Sequence, residues 1–307
     1  MTAESLVLSL ERELMSGSAM WVADFTESRR NVKVEETVFD VVLTGDTRPK
    51  GLVIARIIGF LLVPEYYVAT FVLRASNELQ FDSIITTVRR HMRYEKLRWS
   101  WLVIVGDEKF LNRTRDDVKR LNMQDIGIVV LEASSGRTVS SEGLLGNHLN
   151  KCVKKGFKAS LDYAPRKFTP GTISPVNVSK LVFSIFSIFL LVYLGITLVT
   201  GLFPIILSPA IFLSSVFLGR MLYLRKFHVS FSYDLNSFVL KQANKTVAHG
   251  EWRNIRDVSL VRQGIKDFYV SLKTEHKPQD VRVPASSLKV DPFAFRLSLL
   301  GLSGKMK

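Results

Sequence analysis

Three arginines of this sequence stand at a spacing that could bind phosphate. From Asn77 to about Tyr94 the apolar residues recur with a period of 3.6, which predicts a helix with one apolar face. Arg89, Arg90 and Arg93 fall on the opposite face, where their guanidinium groups could contact phosphate oxygens. A solvated helix face explains such a basic run as well, and both interpretations stay open at this stage.

Other residue patterns that support catalysis or hold a cofactor are missing from the sequence. The five histidines are scattered, and Cys152 is the only cysteine, which argues against a transition-metal site and a disulfide framework. The sequence contains no glycine-rich phosphate loop and no Gly-x-Ser-x-Gly nucleophile motif. We therefore predict no catalytic residue, no metal and no cofactor.

The elements that carry these residues indicate an α/β domain over 1–160. Helical spacing over 3–16 is followed by strand-like runs and then by alternating strands and helices, with Thr114 as the predicted N-cap of a short helix. The predicted strands are 20–25, 34–43, 52–61, 66–73, 99–105 and 126–131, and the last helix is predicted at about 142–155.

This element order and the run Val38-Phe39-Asp40-Val41-Val42 resemble the restriction-endonuclease-like (PD-(D/E)XK) fold. In that family an Asp on one strand and an acidic-x-Lys on the next bind a divalent metal for phosphodiester cleavage. Here the next strand reads Ala69-Thr70-Phe71-Val72-Leu73-Arg74 and lacks the acid and the lysine. The resemblance therefore implies a catalytically inactive domain, unless Glu36, Glu65 or Glu78 joins Asp40.

A long apolar stretch separates this domain from the rest of the chain. The 39 residues from Leu181 to Gly219 carry no charge, which is too long for one span of about 20 residues and sufficient for two short ones. Gly201 and Pro204 mark a break between two helices, and Pro209 lies in the second one. A buried soluble hairpin or a re-entrant loop is the alternative to a transmembrane hairpin over 180–224.

Basic residues on both flanks of the stretch predict its orientation, because Lys and Arg accumulate on the cytoplasmic side of membrane spans. Both termini are accordingly predicted in the cytoplasm of a multi-pass cell-membrane protein. The predicted membrane-surface basic residues are Lys154, Lys155, Lys158, Arg166, Lys167, Lys180, Arg220, Arg225 and Lys226.

The net charge of +14 is distributed unevenly. Residues 1–150 carry 19 basic and 20 acidic side chains, whereas residues 151–307 carry 23 basic and 8 acidic ones. Since the excess lies next to the membrane segment, anionic lipid is a simpler partner than nucleic acid.

The last part of the chain predicts antiparallel strands and a closing helix. Apolar and polar residues alternate from Phe227 to Tyr233 and again further on, and Asp291-Pro292 predicts the start of a helix. Strands and a closing helix after a membrane hairpin resemble the PH-like domains of small bacterial membrane proteins. The segment containing Trp252, Ile255 and Val258 is similar to the W-x-x-I-x-x-V strand of those domains.

The sequence thus predicts an α/β domain (1–160), a linker (161–179), a transmembrane hairpin (180–224) and a PH-like β domain (225–307). The predicted function is a non-catalytic, membrane-anchored binding or regulatory module with a protein partner or a second copy of itself. The alternative is a membrane-tethered nuclease or nucleic-acid-binding protein that uses the N-terminal domain.

Overall fold

The computed structural model has a mixed α/β architecture, as predicted, with seven α-helices and two β-sheets in the described part of the chain. The described residues are 3–17, 19, 22–47, 66–75, 80–121, 123–163, 168–174, 179–200, 207–264, 266–275 and 280–304. The helices are α1 (Ala3–Ser16), α2 (Phe81–Tyr94), α3 (Glu108–Arg120), α4 (Leu144–Asp162), α5 (Ser179–Thr200), α6 (Leu207–Leu222) and α7 (Pro292–Leu302). The strands are β1 (Asp24–Val34), β2 (Thr37–Asp46), β3 (Tyr67–Arg74), β4 (Trp99–Gly106), β5 (Ile126–Glu132), β6 (Thr138–Ser140), β7 (Gly171–Ile173), β8 (Val229–Tyr233), β9 (Ser237–Gln242), β10 (Lys245–Glu251), β11 (Ile255–Gln263), β12 (Asp267–Thr274) and β13 (Val281–Val283).

Nine strands form one large sheet in the order β13-β12-β11-β1-β2-β3-β4-β5-β6. The pairs β3-β4 and β4-β5 are parallel, and the other neighbours are antiparallel. All seven residues of β5 are buried, and β4 exposes only part of Trp99. Continuous apolar runs of this kind are typical of parallel strands that are covered on both faces.

Helices cover both faces of the parallel strands. On one face, α2 and α3 pack apolar residues such as Ile84 and Val118 in one cluster with Ile128 of β5. On the other face, Gly127 of β5 meets α4, because successive residues of a strand point to opposite sides. A Cβ atom at Gly127 would lie 2.7 Å from the carbonyl carbon of Leu145, so this approach requires glycine.

The three strands β11, β12 and β13 extend the N-terminal sheet. β11 pairs with β1 in antiparallel register, with Glu27 opposite Val261 and Ser28 opposite Leu260. The structure thereby forms a large unit of Met1–Phe168, Ile255–Ser286 and Asp291–Lys307. This division differs from the predicted boundary at residue 225, because β11 covers the edge of β1 that would otherwise expose unpaired backbone groups.

A buried charge cluster joins α1, β1 and α7 within the large unit. The carboxylate of Glu11 accepts hydrogen bonds from Arg296 Nη2 at 2.6 Å, from Arg30 Nη2 at 2.9 Å and from the Ser28 hydroxyl. The side chains of Glu11 and Arg296 are fully buried. Burial by itself would raise the pKa of Glu11, but the two arginines and the hydrogen bonds from Arg296 and Ser28 lower it to about 2.

Two further polar contacts hold the C-terminal segment to the N-terminal part of the chain. The buried Arg262 of β11 pairs with Asp24 of β1, and its burial lowers the arginine pKa to about 10. Asp291 caps α7 by accepting a hydrogen bond from Phe293 N at 3.2 Å, as predicted, and it also pairs with Arg12 of α1 at 2.5 Å. The large unit therefore depends on residues from both ends of the chain.

The inserted unit comprises Thr169–Asn254 and Ser287–Val290. Its sheet has the order β10-β9-β8-β7, so the predicted linker 161–179 contains the strand β7. Trp252 is buried against Phe238, with ring centroids 5.0 Å apart, and its indole N–H donates to Asp234 O at 2.8 Å.

The apolar helices α5 and α6 belong to the inserted unit and pack against each other. The Phe186 and Phe212 rings lie 5.8 Å apart, and a Cβ atom at Gly219 would lie 2.6 Å from Val182 Cγ2. Val182 at the start of α5 meets Gly219 near the end of α6, and Phe186 further along α5 meets the earlier residue Phe212, so the two helices are antiparallel. Leu181–Val199 is long and apolar enough to cross a membrane, and no other described helix meets that criterion.

Candidate functional site

Asp40 occupies the position where the endonuclease resemblance places its metal-binding acid. It lies on β2, and its carboxylate accepts hydrogen bonds from the backbone N and from Nε of Arg74, both at 2.7 Å. Arg74 ends β3 and adds a contact from Nη2 at 2.5 Å. The hydrogen bond to Asp40 raises the pKa of Arg74, so this guanidinium stays a cation beside the carboxylate.

The acids that could complete a metal site with Asp40 do not form one with it in the described part of the chain. Glu36 lies in the turn between β1 and β2, whereas Glu65 and Glu78 lie outside the described residues. Among the described residues, no group of three or more His, Cys, Asp or Glu side chains could hold a metal ion.

The three arginines of α2 do not form one continuous basic surface. Arg90 Nη1 contacts the Glu35 carboxylate at 3.2 Å, in the turn after β1. Arg89 and Arg93, one helical turn apart, line a different feature, a cleft of about 600 Å³ that we call the basic cleft. Its lining residues are Tyr66, Arg89, Met92, Arg93, Lys96, Leu97, Arg98 and Asp125.

Local backbone structure brings the walls of the basic cleft together. After α2 the chain turns sharply, with Lys96 at a φ of 55° and Leu97 N donating to Met92 O at 2.8 Å. Arg98 N then donates to Tyr67 O at 2.9 Å, which places the Arg98 guanidinium 5.4 Å from the Tyr66 ring centroid. Sequence reasoning missed Lys96, Arg98, Tyr66 and Asp125, although the basic run Lys96-Leu97-Arg98 directly after the helix was a signal.

The predicted membrane-surface basic residues are only partly described. Lys154, Lys155 and Lys158 are exposed on α4, and Arg220 and Arg225 are exposed after the apolar part of α6. Four other residues of the predicted membrane segment and its basic flanks lie outside the described residues, namely Arg166, Lys167, Gly201 and Pro204. For Lys180 and Lys226 the backbone is described but the side chain is not. Leu181 and Pro209 lie near the described starts of α5 and α6.

Comparisons with known protein families, with curated proteins and with solved structures find no match to this chain.

Proposed function

We propose that this protein crosses the membrane twice, keeps both termini in the cytoplasm and presents a non-catalytic binding or regulatory module at the membrane surface. The observation that carries the proposal is the pairing of β1 with β11, because these strands lie on opposite sides of the apolar segment in the sequence.

The exposure of α5 and α6 supports insertion in lipid. Leu198 and Val199 of α5 are 86% and 87% exposed, and Phe217 of α6 is 70% exposed. The hydroxyl residues Thr197 and Ser215 are buried instead. Large apolar side chains exposed along both helices would be unfavourable in water, and they match a hydrocarbon environment.

An even number of crossings follows if α5 spans the bilayer. Residues before α5 and residues after α6 form one hydrogen-bonded sheet, and the two halves of one sheet cannot lie on opposite sides of a membrane. The chain must therefore return, and α6 packs antiparallel to α5 in the way a returning span would. The sixteen residues of α6 continue directly into a π-helical turn, Tyr223–Phe227, which lengthens the helical segment.

The charge distribution supports the cytoplasmic side for both flanks. Lys154, Lys155 and Lys158 precede α5, Arg220 and Arg225 lie at the end of the apolar segment, and residues 201–206 between the two helices carry no charge. Positive flanks face the cytoplasm, where anionic lipid attracts them.

The contacts of Asp40 support a non-catalytic role over the nuclease alternative. Both of its oxygens accept hydrogen bonds from Arg74, whereas a Mg²⁺ site requires carboxylate oxygens directed at the ion. Of the strands in the segment that resembles a PH-like domain, β8 to β10 belong to the four-stranded sheet and β11 to β13 to the nine-stranded sheet, so the proposed role does not rest on that resemblance. Lipid and a protein partner, or a second copy of the chain, are the proposed partners.

Cysteine labelling tests the topology. In a Cys152→Ser background, Lys158→Cys and Arg256→Cys place exposed thiols of the large unit before and after the apolar segment, and Gly201→Cys marks the sequence between the two helices. We expect a membrane-impermeant maleimide to label the first two only in inside-out vesicles and Gly201→Cys only in intact spheroplasts. Labelling of Lys158→Cys and Arg256→Cys from opposite sides would contradict the proposal, as would protection of Gly201→Cys from both sides.

A further inference from the structure

We infer that the basic cleft binds a nucleotide, with its phosphates on the cationic wall and its base beside Tyr66. The inference concerns the large unit alone, so it does not depend on how many times the chain crosses the membrane.

The cations of the basic cleft exceed what the fold itself requires. Four of its lining residues, Arg89, Arg93, Lys96 and Arg98, are cations, and Asp125 is the one acid among the described lining residues. Arg93 and Lys96 have no carboxylate partner in the described part of the chain. By contrast, Arg90 of the same helix does have one, Glu35. Cations concentrated in a concave surface attract an anionic ligand more strongly than the same charges spread on an open surface.

The arrangement of these cations suits a ligand with more than one phosphate. Arg89 and Arg93 stand one turn apart on α2, so their guanidinium groups can contact neighbouring phosphates. Lys96 approaches from the turn after the helix, and Arg98 approaches from the residue before β4. A single phosphate could not form bidentate contacts with all three arginines and also contact Lys96.

The remaining lining residues distinguish a nucleotide from an inorganic anion. Tyr66 is 40% exposed and already has the Arg98 guanidinium near its ring, so it provides an aromatic surface on which a base can stack. The backbone carbonyl of Asp125 accepts a hydrogen bond from Ser100 N at 2.8 Å, which fixes the residue beside β4. Its carboxylate can accept hydrogen bonds from sugar hydroxyls or from a base amino group, but it would repel a phosphate.

The size of the cleft agrees with this class of ligand. A volume of about 600 Å³ lies within the range of about 300–1,000 Å³ that small-molecule sites occupy. Met92 and Leu97 add apolar surface between the charged walls, as in sites that bind a ligand with both polar and apolar parts.

Calorimetric titration of the full-length chain in a non-ionic detergent tests the inference, with ATP, pyrophosphate and adenosine as probes. We expect ATP to bind at least about tenfold more tightly than pyrophosphate or adenosine, since only ATP contacts both the cationic wall and Tyr66. The affinity for ATP should fall as the salt concentration is raised. Arg93→Glu should weaken ATP binding at least about tenfold through lost and reversed charge. Tyr66→Ala should weaken ATP binding but leave pyrophosphate binding unchanged.

Arg90→Glu is the matched control, because this charge reversal lies on the same helix outside the cleft. It should leave ATP binding within about twofold of the unchanged protein. Absence of ATP binding at millimolar concentration would overturn the inference. Equal loss in Arg90→Glu and Arg93→Glu would also overturn it, as would equal affinities for ATP and pyrophosphate. Circular dichroism of each variant shows that a lost signal does not reflect unfolding.

Discussion

Replacing Arg296 by methionine should destabilise the large unit strongly, because the change leaves a buried carboxylate with fewer partners. Arg296 and Glu11 are both 0% exposed, and their atoms approach to 2.6 Å. Removing one partner of a buried ion pair typically costs about 3–5 kcal/mol. Arg30 still contacts Glu11 in the variant, so we expect the lower end of that range, about 3 kcal/mol.

The pH dependence of stability reports on the same cluster from the side of Glu11, where both arginines and Ser28 contribute. The pKa of Glu11 is lowered from its usual 4.5 to about 2, so the unfolded chain takes up a proton at higher pH than the folded one. The resulting stabilisation is fully present above about pH 4.5 and is lost as the pH falls to about 2. At about 1.4 kcal/mol per pKa unit, the difference corresponds to roughly 3 kcal/mol. Glu11→Gln should abolish this part of the acid sensitivity.

Urea unfolding of the full chain in detergent, followed by tryptophan fluorescence, measures both effects. Trp101 is fully buried in the large unit and should report its unfolding. Arg253→Met is the control: its exposed side chain pairs with Glu251 and with no other described acid, and the change should shift stability by no more than about 0.5 kcal/mol. A double variant Glu11→Leu/Arg296→Leu should be more stable than the sum of the single changes predicts, because no lone charge remains at this pair. A cost of Arg296→Met below about 0.5 kcal/mol, or strict additivity in the double variant, would refute the argument.

Two further predictions concern the apolar helices α5 and α6 and the residue Asp40. Gly219→Leu should push α5 and α6 apart, because the added side chain meets Val182. It should therefore reduce cross-linking of the pair Phe186→Cys/Phe212→Cys by a bifunctional maleimide, a reagent that does not require the short Cα separation of a disulfide. Gly195→Leu, where no atom lies within 4 Å of the added Cβ, should leave the cross-linking yield unchanged. Purified full-length protein should not cleave DNA or RNA with Mg²⁺ or Mn²⁺, because Arg74 occupies the Asp40 carboxylate; metal-dependent cleavage that disappears in Asp40→Ala would restore the nuclease interpretation.

Elements with a strong local pattern could be predicted from the sequence. The helix after Asp291, the alternating strands β8 and β12 and the apolar helix α5 all lie close to their predicted positions. The predicted start of a helix at Thr114 was wrong. α3 begins at Glu108, its N-cap Asp107 accepts a hydrogen bond from Phe110 N at 2.7 Å, and the Thr114 hydroxyl donates to Phe110 O within the helix. Asp and Thr are both favourable N-cap residues, so the local sequence does not tell which of Asp107 and Thr114 begins the helix.

The pairing of β1 with β11 could not be predicted, because it joins residues more than 220 positions apart and leaves no local signature. A weaker signal did exist. Arg296 is a lone charge in the apolar run from Phe293 to Leu300, and Glu11 follows an equally apolar run in α1. A charged residue within such an apolar run needs a buried partner of opposite charge. Two oppositely charged residues of this kind therefore indicate contact between distant segments. The basic cleft was missed for a similar reason, since three separate segments contribute its walls.

The order of synthesis places a demand on this architecture. β1 ends at Val34 and β11 begins at Ile255, so the ribosome adds about 220 residues, including both apolar helices, before the edge of β1 gains its partner. At about 5–20 residues per second this takes roughly 10–45 s. During that time the β1 edge and the carboxylate of Glu11 lack their C-terminal partners. In the proposed topology the two apolar helices reach the bilayer before the sheet is complete, and a nascent chain that stalls before β11 presents an open strand edge to its neighbours.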